Sequence, residues 1–110
     1  MKLEIDPRAS AELAEEVARY EAELGLGNDL LVEVRDAIGE IARHPDRWAP
    51  SPLPAARRLG VRHFVLTRFR FTIEYLVRRR VVRVLAIAHM RRRPGYWLSR
   101  LRGKRRKRIQ

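Results

Sequence analysis

The residues best suited to chemistry are arginines in the second half of the chain. Seven of them are candidate phosphate- or partner-binding residues: Arg62, Arg68, Arg70, Arg83, Arg91, Arg92 and Arg93. Each guanidinium group presents a planar fork of N–H donors that matches a phosphate or carboxylate. Several such groups on one sheet face predict a polyanion-binding surface. For any single arginine, the alternative is a solvated surface charge.

Alternation along strands predicts which of these arginines share a face. Arg62 and Arg68 are six residues apart, and so are Arg83 and His89. In a regular strand, an even spacing places both side chains on the same face of the sheet. The pattern therefore predicts that Arg83 and His89 point the same way.

His89 and Tyr96 are the candidate catalytic residues if the chain is a nuclease. A histidine titrates near physiological pH, and neighbouring cations favour its neutral form, which suits a general base. Arginine does not lose its proton, so it can only stabilise a charged transition state. Taken alone, a histidine at the end of an apolar strand is more simply a hydrogen-bonded structural residue.

Other kinds of site have no support in the sequence. The 110 residues include no cysteine, which excludes disulfides and cysteine-ligated metals. The three histidines, His44, His63 and His89, lack the spacing of metal ligands. We therefore expect neither a metal nor a cofactor.

Charge divides the chain into two unlike halves. Residues 1–50 contain 6 basic and 12 acidic residues, a balance of −6, whereas residues 51–110 contain 19 basic and 1 acidic, a balance of +18. Such asymmetry predicts a polyanion or an acidic protein as the partner of the second half. It also predicts that acids and arginines occupy different layers of the fold.

The first half predicts a strand followed by a helical hairpin. Residues 2–5 alternate charged and apolar side chains, and Asp6-Pro7 is a typical helix start. Apolar residues then recur at helical spacing, with glutamates at 12, 15, 16, 21 and 23 on the remaining face. Gly25 and Gly27 end this helix, and Asn28 starts a second one that ends before Pro45.

The second half predicts a loop and three strands. Four prolines mark residues 45–56 as a loop, and strands follow at residues 58–68, 70–77 and 81–89. A short final helix is predicted from Tyr96 to Leu101, and Trp48 and Trp97 are expected to close the core. This order predicts an α+β fold with the hairpin packed on an antiparallel sheet.

We expect residues 1–101 to form one domain and residues 102–110 to form a basic C-terminal tail. The sequence shows neither the pattern of a signal peptide nor an apolar run long enough for a membrane span. We therefore expect a cytoplasmic protein with no membrane partner.

The sequence also resembles a known family. The segment Val84 to Trp97, VLAIAHMRRRPGYW, resembles the C-terminal part of the sequences in the RelE/ParE superfamily of bacterial toxins. Three further segments agree in order and spacing: AELAEEVARYEAEL at residues 11–24, LGNDLLVEVRDAIGEIARHP at 26–45 and RRLGVRHFVLTRFRFTIEYLV at 57–77. The resemblance covers roughly residues 2–100.

The resemblance implies a β-α-α-β-β-β fold and a role as the toxin of a type II toxin–antitoxin system, a module associated with growth arrest and plasmid stabilisation. A cognate antitoxin with an acidic or amphipathic segment would neutralise the toxin in a hetero-oligomer. RelE-like members cleave mRNA on the ribosome without a metal, whereas ParE-like members inhibit DNA gyrase.

The RelE-type positions would fall on Arg62, Arg68, Arg91 and either His89 or Tyr96. RelE-like members also carry lysines before and within the second strand, and this sequence has none between Lys2 and Lys104. We therefore favour inhibition of gyrase or another protein target. The alternatives are a ribosome-dependent mRNA endoribonuclease and a small, non-toxic, basic RNA-binding accessory protein.

Overall fold

The computed structural model describes residues 1–101, so the predicted basic tail at residues 102–110 lies outside the described residues. The elements are β1 (Lys2–Ile5), α1 (Pro7–Leu24), α2 (Gly27–Arg43), α3 (Pro54–Arg58), β2 (Arg62–Leu66), β3 (Phe71–Arg78) and β4 (Val81–His89). Within this range, the helices are too short or too polar to cross a membrane.

The helical hairpin forms for the reasons given by its sequence. The Asp6 side chain caps α1 by accepting from the backbone N–H of Arg8, and Gly25 ends it in the left-handed conformation at φ 68°. Helix α2 begins at Gly27, one residue before the predicted Asn28. A Cβ at Gly27 would lie 2.7 Å from the carbonyl oxygen of Val17, so only glycine allows this close approach of the helices.

The sheet is mixed, with strand order β1-β4-β3-β2. Strands β2, β3 and β4 are antiparallel as predicted, but β1 runs parallel to β4. Strand β1 is followed by α1 rather than by a tight turn, so no hairpin sets its direction. Because β1 is an edge strand, β4 lies inside the sheet. This position agrees with the almost continuous apolar sequence of β4.

A β-bulge interrupts the pairing of β3 with β4. Glu74 pairs with Ala86 and Tyr75 pairs with Val84, which leaves Leu85 as an extra residue on β4. A bulge reverses the alternation of side chains beyond it. The faces of β4 therefore exchange at Leu85.

The bulge overturns the prediction that Arg83 and His89 share a face. Arg83 pairs with Leu76, whereas His89 pairs with Phe71, five residues earlier on β3. Phe71 belongs to the core under the helices and Leu76 to the core on the other side. Arg83 and His89 consequently lie on opposite faces of the sheet.

Both faces of the sheet are covered. The helical hairpin packs on the face that carries Phe71, Ile73 and Tyr75. The opposite face is covered by α3 and by Trp97, whose exposed fraction is 3%. The predicted loop thus ends in one helical turn, because Pro54 at its first position has the φ that a helix requires.

The two tryptophans have the predicted core roles, since Trp97 is buried and Trp48 packs on Phe64 with ring centroids 4.9 Å apart. The residues after β4 form turns, with helical geometry only at Arg100 and Leu101 within the described range. Of the helix predicted from Tyr96 to Leu101, only the last two residues are helical in the described range. Below, residues 90–101 are called the C-terminal arm.

Candidate functional site

Glu12 joins α1 to the C-terminal arm. Its Oε2 accepts hydrogen bonds from the Tyr96 hydroxyl at 2.5 Å and from Arg100 Nη2 at 2.7 Å, and its Oε1 accepts from the backbone N–H of Ile87 at 3.1 Å. The carboxylate therefore has donors on both oxygens. This arrangement fixes the arm against the helix and β4.

Glu16 makes a second bridge, one helical turn further along α1. Its carboxylate accepts from Arg91 Nη2 at 2.8 Å and from Arg19 Nη2 at 2.9 Å. Glu12 and Glu16 lie on the polar side of α1, outside its apolar stripe, as the helical spacing predicts, but this side is not open to solvent at these two positions. The arginines of the arm cover these positions, and Glu16 is 9% exposed.

Asp6 makes a third bridge at the start of α1. Its carboxylate accepts from the Arg8 side chain at 2.9 Å and from Arg83 Nη2 at 3.2 Å. The hydrogen bond from Arg8 is the main cause that lowers the pKa of Asp6 to about 2. Acids of the first half thus neutralise arginines of the second half, so the two layers are less bipolar than the charge count predicts.

Tyr96 lies in this network rather than in open solvent. Burial, followed by its hydrogen bond to the Glu12 carboxylate, raises the pKa of the Tyr96 hydroxyl. The guanidinium carbon of Arg92 lies 4.0 Å from the centroid of the Tyr96 ring, a cation–π contact. A phenol that already donates to a carboxylate, and is hard to ionise, is poorly placed to act as a general base.

His89 ends β4 on the helix side of the sheet. Its Nδ1 accepts from the backbone N–H of Arg91 at 3.1 Å, and its ring meets Phe71 edge-on with centroids 4.9 Å apart. Burial is the main cause that lowers the pKa of His89, so the imidazole is neutral at physiological pH.

The remaining candidate arginines lie apart from one another. Arg62 donates to the carbonyl oxygen of Trp48 at 2.7 Å, at the edge strand β2. Arg68 follows β2 and forms an ion pair with Asp29 of α2 at 3.1 Å. Arg70 is exposed in the next turn with φ 58°.

The structure therefore does not gather all seven arginines on one surface. Among the candidate residues, it brings together His89, Arg92, Arg93 and Tyr96, which line one pocket. This pocket has a volume of about 320 Å³. It extends from the end of β4, where His89 lies, onto the sheet face opposite the helices, which carries Thr72 and Glu74. We call this cavity the arm pocket.

The arm pocket contains a pair that the sequence analysis did not select. Glu74 is 5% exposed, and its Oε1 has no hydrogen-bond partner among residues 1–101. Its Oε2 lies 3.9 Å from His63 Nδ1. Burial raises the pKa of Glu74 to about 7 and lowers that of His63.

One signal in the sequence points to Glu74, because it is the single acid of residues 51–110 and sits in an apolar strand. His63 has no comparable signal. It reaches Glu74 because the two residues are paired across β2 and β3. In the part of the chain that the structure describes, no group of three potential metal ligands occurs.

The comparisons with known proteins concern the fold. No protein-family model matches the chain, and no curated protein matches it significantly. A solved structure described as the chromosomal ParDE TA system from P. aeruginosa contains a similar chain, with a TM-score of 0.60 and 23% sequence identity. The alignment covers 81% of this chain and 95% of that one. The fold is thus ParE-like, as the resemblance implied.

Proposed function

We propose that this chain is the toxin of a type II toxin–antitoxin pair, and that it arrests growth by binding DNA gyrase or another protein target. The observation that carries the proposal is the shared fold, which extends over 95% of a chain from a ParDE TA system. The resemblance described above associates ParE-like members with gyrase. Both lines of support favour a toxin that binds a protein target over a non-toxic accessory protein that binds RNA.

The internal contacts of the candidate residues favour binding over RNA cleavage. Arg83 and Arg91 pair with carboxylates of the same chain, and the Tyr96 hydroxyl donates to Glu12. A nuclease needs such groups free to contact the scissile phosphate and its 2′-hydroxyl. Substrate would have to displace these partners before reaction.

A cognate antitoxin is the proposed regulator. An acidic or amphipathic antitoxin segment would find exposed arginines at the β3–β4 turn, where Arg78, Arg79 and Arg80 are consecutive, and at Arg92 and Arg93 of the arm. Complementary charge would speed association and orient the partner. The resulting complex would be a toxin–antitoxin hetero-oligomer.

The second candidate function is a RelE-like, ribosome-dependent mRNA endoribonuclease. One observation favours it: the neutral His89 lines the same pocket as Arg92 and Arg93. In that case His89 would take the proton of the 2′-hydroxyl and the arginines would bind phosphate.

Controlled expression in a bacterial host, alone and together with the product of any small reading frame that lies beside the gene, tests the proposal. We expect growth arrest, DNA damage and intact transcripts when the chain is expressed alone, and normal growth when its neighbour is expressed too. Cleaved transcripts that disappear with His89→Ala would instead establish the nuclease. Harmless expression would eliminate both toxin functions.

A further inference from the structure

The arm pocket contains a buried carboxyl group, that of Glu74, one oxygen of which has no hydrogen-bond partner in the described chain. Glu74 Oε1 has no partner among the described residues. The His63 Nδ1 is 3.9 Å from Oε2, which is too far for a hydrogen bond, and a hydrogen bond from the Thr72 side chain only partly offsets the effect of burial on the carboxyl group. A buried polar atom without a partner destabilises the folded state, because it has lost its hydrogen bonds to water and gained none in return. Such atoms are rare in native proteins, and a ligand that donates hydrogen bonds is one way to satisfy them.

The chemistry of the pocket defines the donor. A carboxylate accepts two parallel hydrogen bonds best from a planar N–C–N edge that carries two N–H groups. The guanidinium group of arginine and the Watson–Crick edge of guanine both have this edge. Leu53, Met90 and Trp97 supply apolar walls, against which a flat ring or a hydrocarbon stem would pack.

The rim of the pocket defines a second feature of the ligand. Arg92 and Arg93 line the pocket and are both exposed, so their charges are accessible to an incoming molecule. A purely cationic ligand would be repelled by these arginines. A ligand that carries an anionic group beside its donor edge would be attracted by them.

We propose that the arm pocket binds a small anionic molecule with a planar pair of N–H donors, which bind Glu74 while the anionic group lies against Arg92 or Arg93. The raised pKa of Glu74 is consistent with this, since a bound donor would supply the stabilisation that the ionised carboxylate lacks in the free chain. The proposal does not rest on the proposed toxin activity, because ligand binding needs neither gyrase nor an antitoxin. The site shares Arg92 and Arg93 with the proposed antitoxin surface.

Two sources share the required chemistry, and calorimetric titration of the purified full-length chain distinguishes them. Guanosine 5′-monophosphate represents nucleotides, with inosine 5′-monophosphate as the comparator that lacks the 2-amino group. L-Arginine represents amino acids and peptide ends, with agmatine as the comparator that lacks the carboxylate. We expect saturable binding of one of the two parent ligands and about tenfold weaker binding of its comparator.

Substitution of Glu74 tests the site itself. Glu74→Gln is isosteric and should weaken the bound ligand about tenfold or more, because one oxygen acceptor becomes an N–H donor. Glu33→Gln, a matched change on α2 outside the arm pocket, should leave the affinity unchanged. Arg92 and Arg93 are both exposed, so substitution of either should leave the fold intact. Arg93→Gln should weaken binding if Arg93 contacts the anionic group of the ligand. If Arg92 makes that contact instead, Arg92→Gln should weaken binding.

Three results would overturn the proposal. The first is that neither parent ligand binds saturably at concentrations up to about 10 mM, where affinity is negligible. The second is that the wild type and a folded Glu74→Gln variant bind the ligand with equal affinity. The third is that full affinity remains when both Arg92 and Arg93 are replaced. A Glu74→Gln protein that fails to fold would transfer the decision to the exposed Arg92 and Arg93 variants.

Discussion

The Tyr96 hydroxyl donates a 2.5 Å hydrogen bond to Glu12 Oε2, and the two residues are 84 positions apart in the chain. The bond joins the first helix to the C-terminal arm, on which the candidate residues Arg91, Arg92 and Arg93 lie. Arg100 strengthens the same junction with two bonds to the Glu12 carboxylate. Tyr96 therefore has a structural role, whatever activity the chain has.

We expect Glu12→Gln to lower the free energy of unfolding by about 3 kcal/mol, because it leaves a largely buried arginine without its counter-charge. The side chains of Glu12 and Arg100 are only 12% and 10% exposed. Urea denaturation measures the change. Glu15→Gln alters an exposed glutamate of the same helix and should change stability by less than about 0.5 kcal/mol. Similar losses in both variants would contradict the proposed junction.

Tyr96→Phe should separate the structural role of Tyr96 from a catalytic one. Loss of the hydroxyl removes one hydrogen bond and should cost about 1 kcal/mol of stability. The ring beneath Arg92 stays, so we expect induced expression to arrest growth as strongly as the wild type does. A folded variant that no longer arrests growth would support a catalytic tyrosine instead.

Much of the fold follows from local signals in the sequence. Asp6-Pro7 starts α1 and Gly25 ends it, and the apolar run from Val81 to His89 coincides with the observed central strand. The direction of β1 was not predictable, because it depends on a partner strand almost 80 residues away. The bulge at Leu85 has no distinctive residue type, and it reversed the predicted face of Arg83 relative to His89.

The candidate site was less predictable than the fold. Arginine content indicated a basic second half, but partners such as Glu12 and Glu16 belong to a helix whose packing against the arm is a tertiary property. The significance of Glu74 also depends on tertiary structure, because its unusual pKa results from burial. A carboxylate on a strand has the same appearance in a sequence whether it faces water or a pocket.

Glu74 should make the stability of the protein depend on pH. Burial raises its pKa in the folded chain to about 7 from 4.5, so the folded state holds its proton more tightly than the unfolded state does. Stability should therefore fall as pH rises from 4.5 through 7, by up to about 3 kcal/mol. Chemical denaturation across this range measures the fall.

The Glu74→Gln variant isolates this effect. The pKa values of His63 and His89 are lowered by burial, so they make stability rise with pH and oppose Glu74. The stability difference between wild type and Glu74→Gln should change by up to about 3 kcal/mol over the range. A difference that does not depend on pH would show that Glu74 ionises normally in the folded protein.

The β3–β4 turn should be stabilised by residues that tolerate its geometry. Arg79 and Arg80 both have positive φ, 53° and 63°, as in the two-residue turns that favour Asn-Gly. We expect Arg79→Asn combined with Arg80→Gly to raise the free energy of unfolding by about 1 kcal/mol.

A second double variant serves as the control for charge at this turn. Arg79→Gln with Arg80→Gln removes the same two charges but keeps side chains that are strained at positive φ. It should gain less stability in thermal unfolding than the Asn-Gly variant. Equal gains would mean that charge repulsion, rather than backbone conformation, limits the stability of the turn.

The proposed function is tested most directly by titrating the purified chain into a supercoiling assay with purified DNA gyrase and relaxed plasmid. We predict that near-stoichiometric amounts of the chain abolish supercoiling, and that prior addition of the proposed cognate antitoxin restores it. Undiminished supercoiling with a folded chain in large excess over gyrase would contradict inhibition of gyrase.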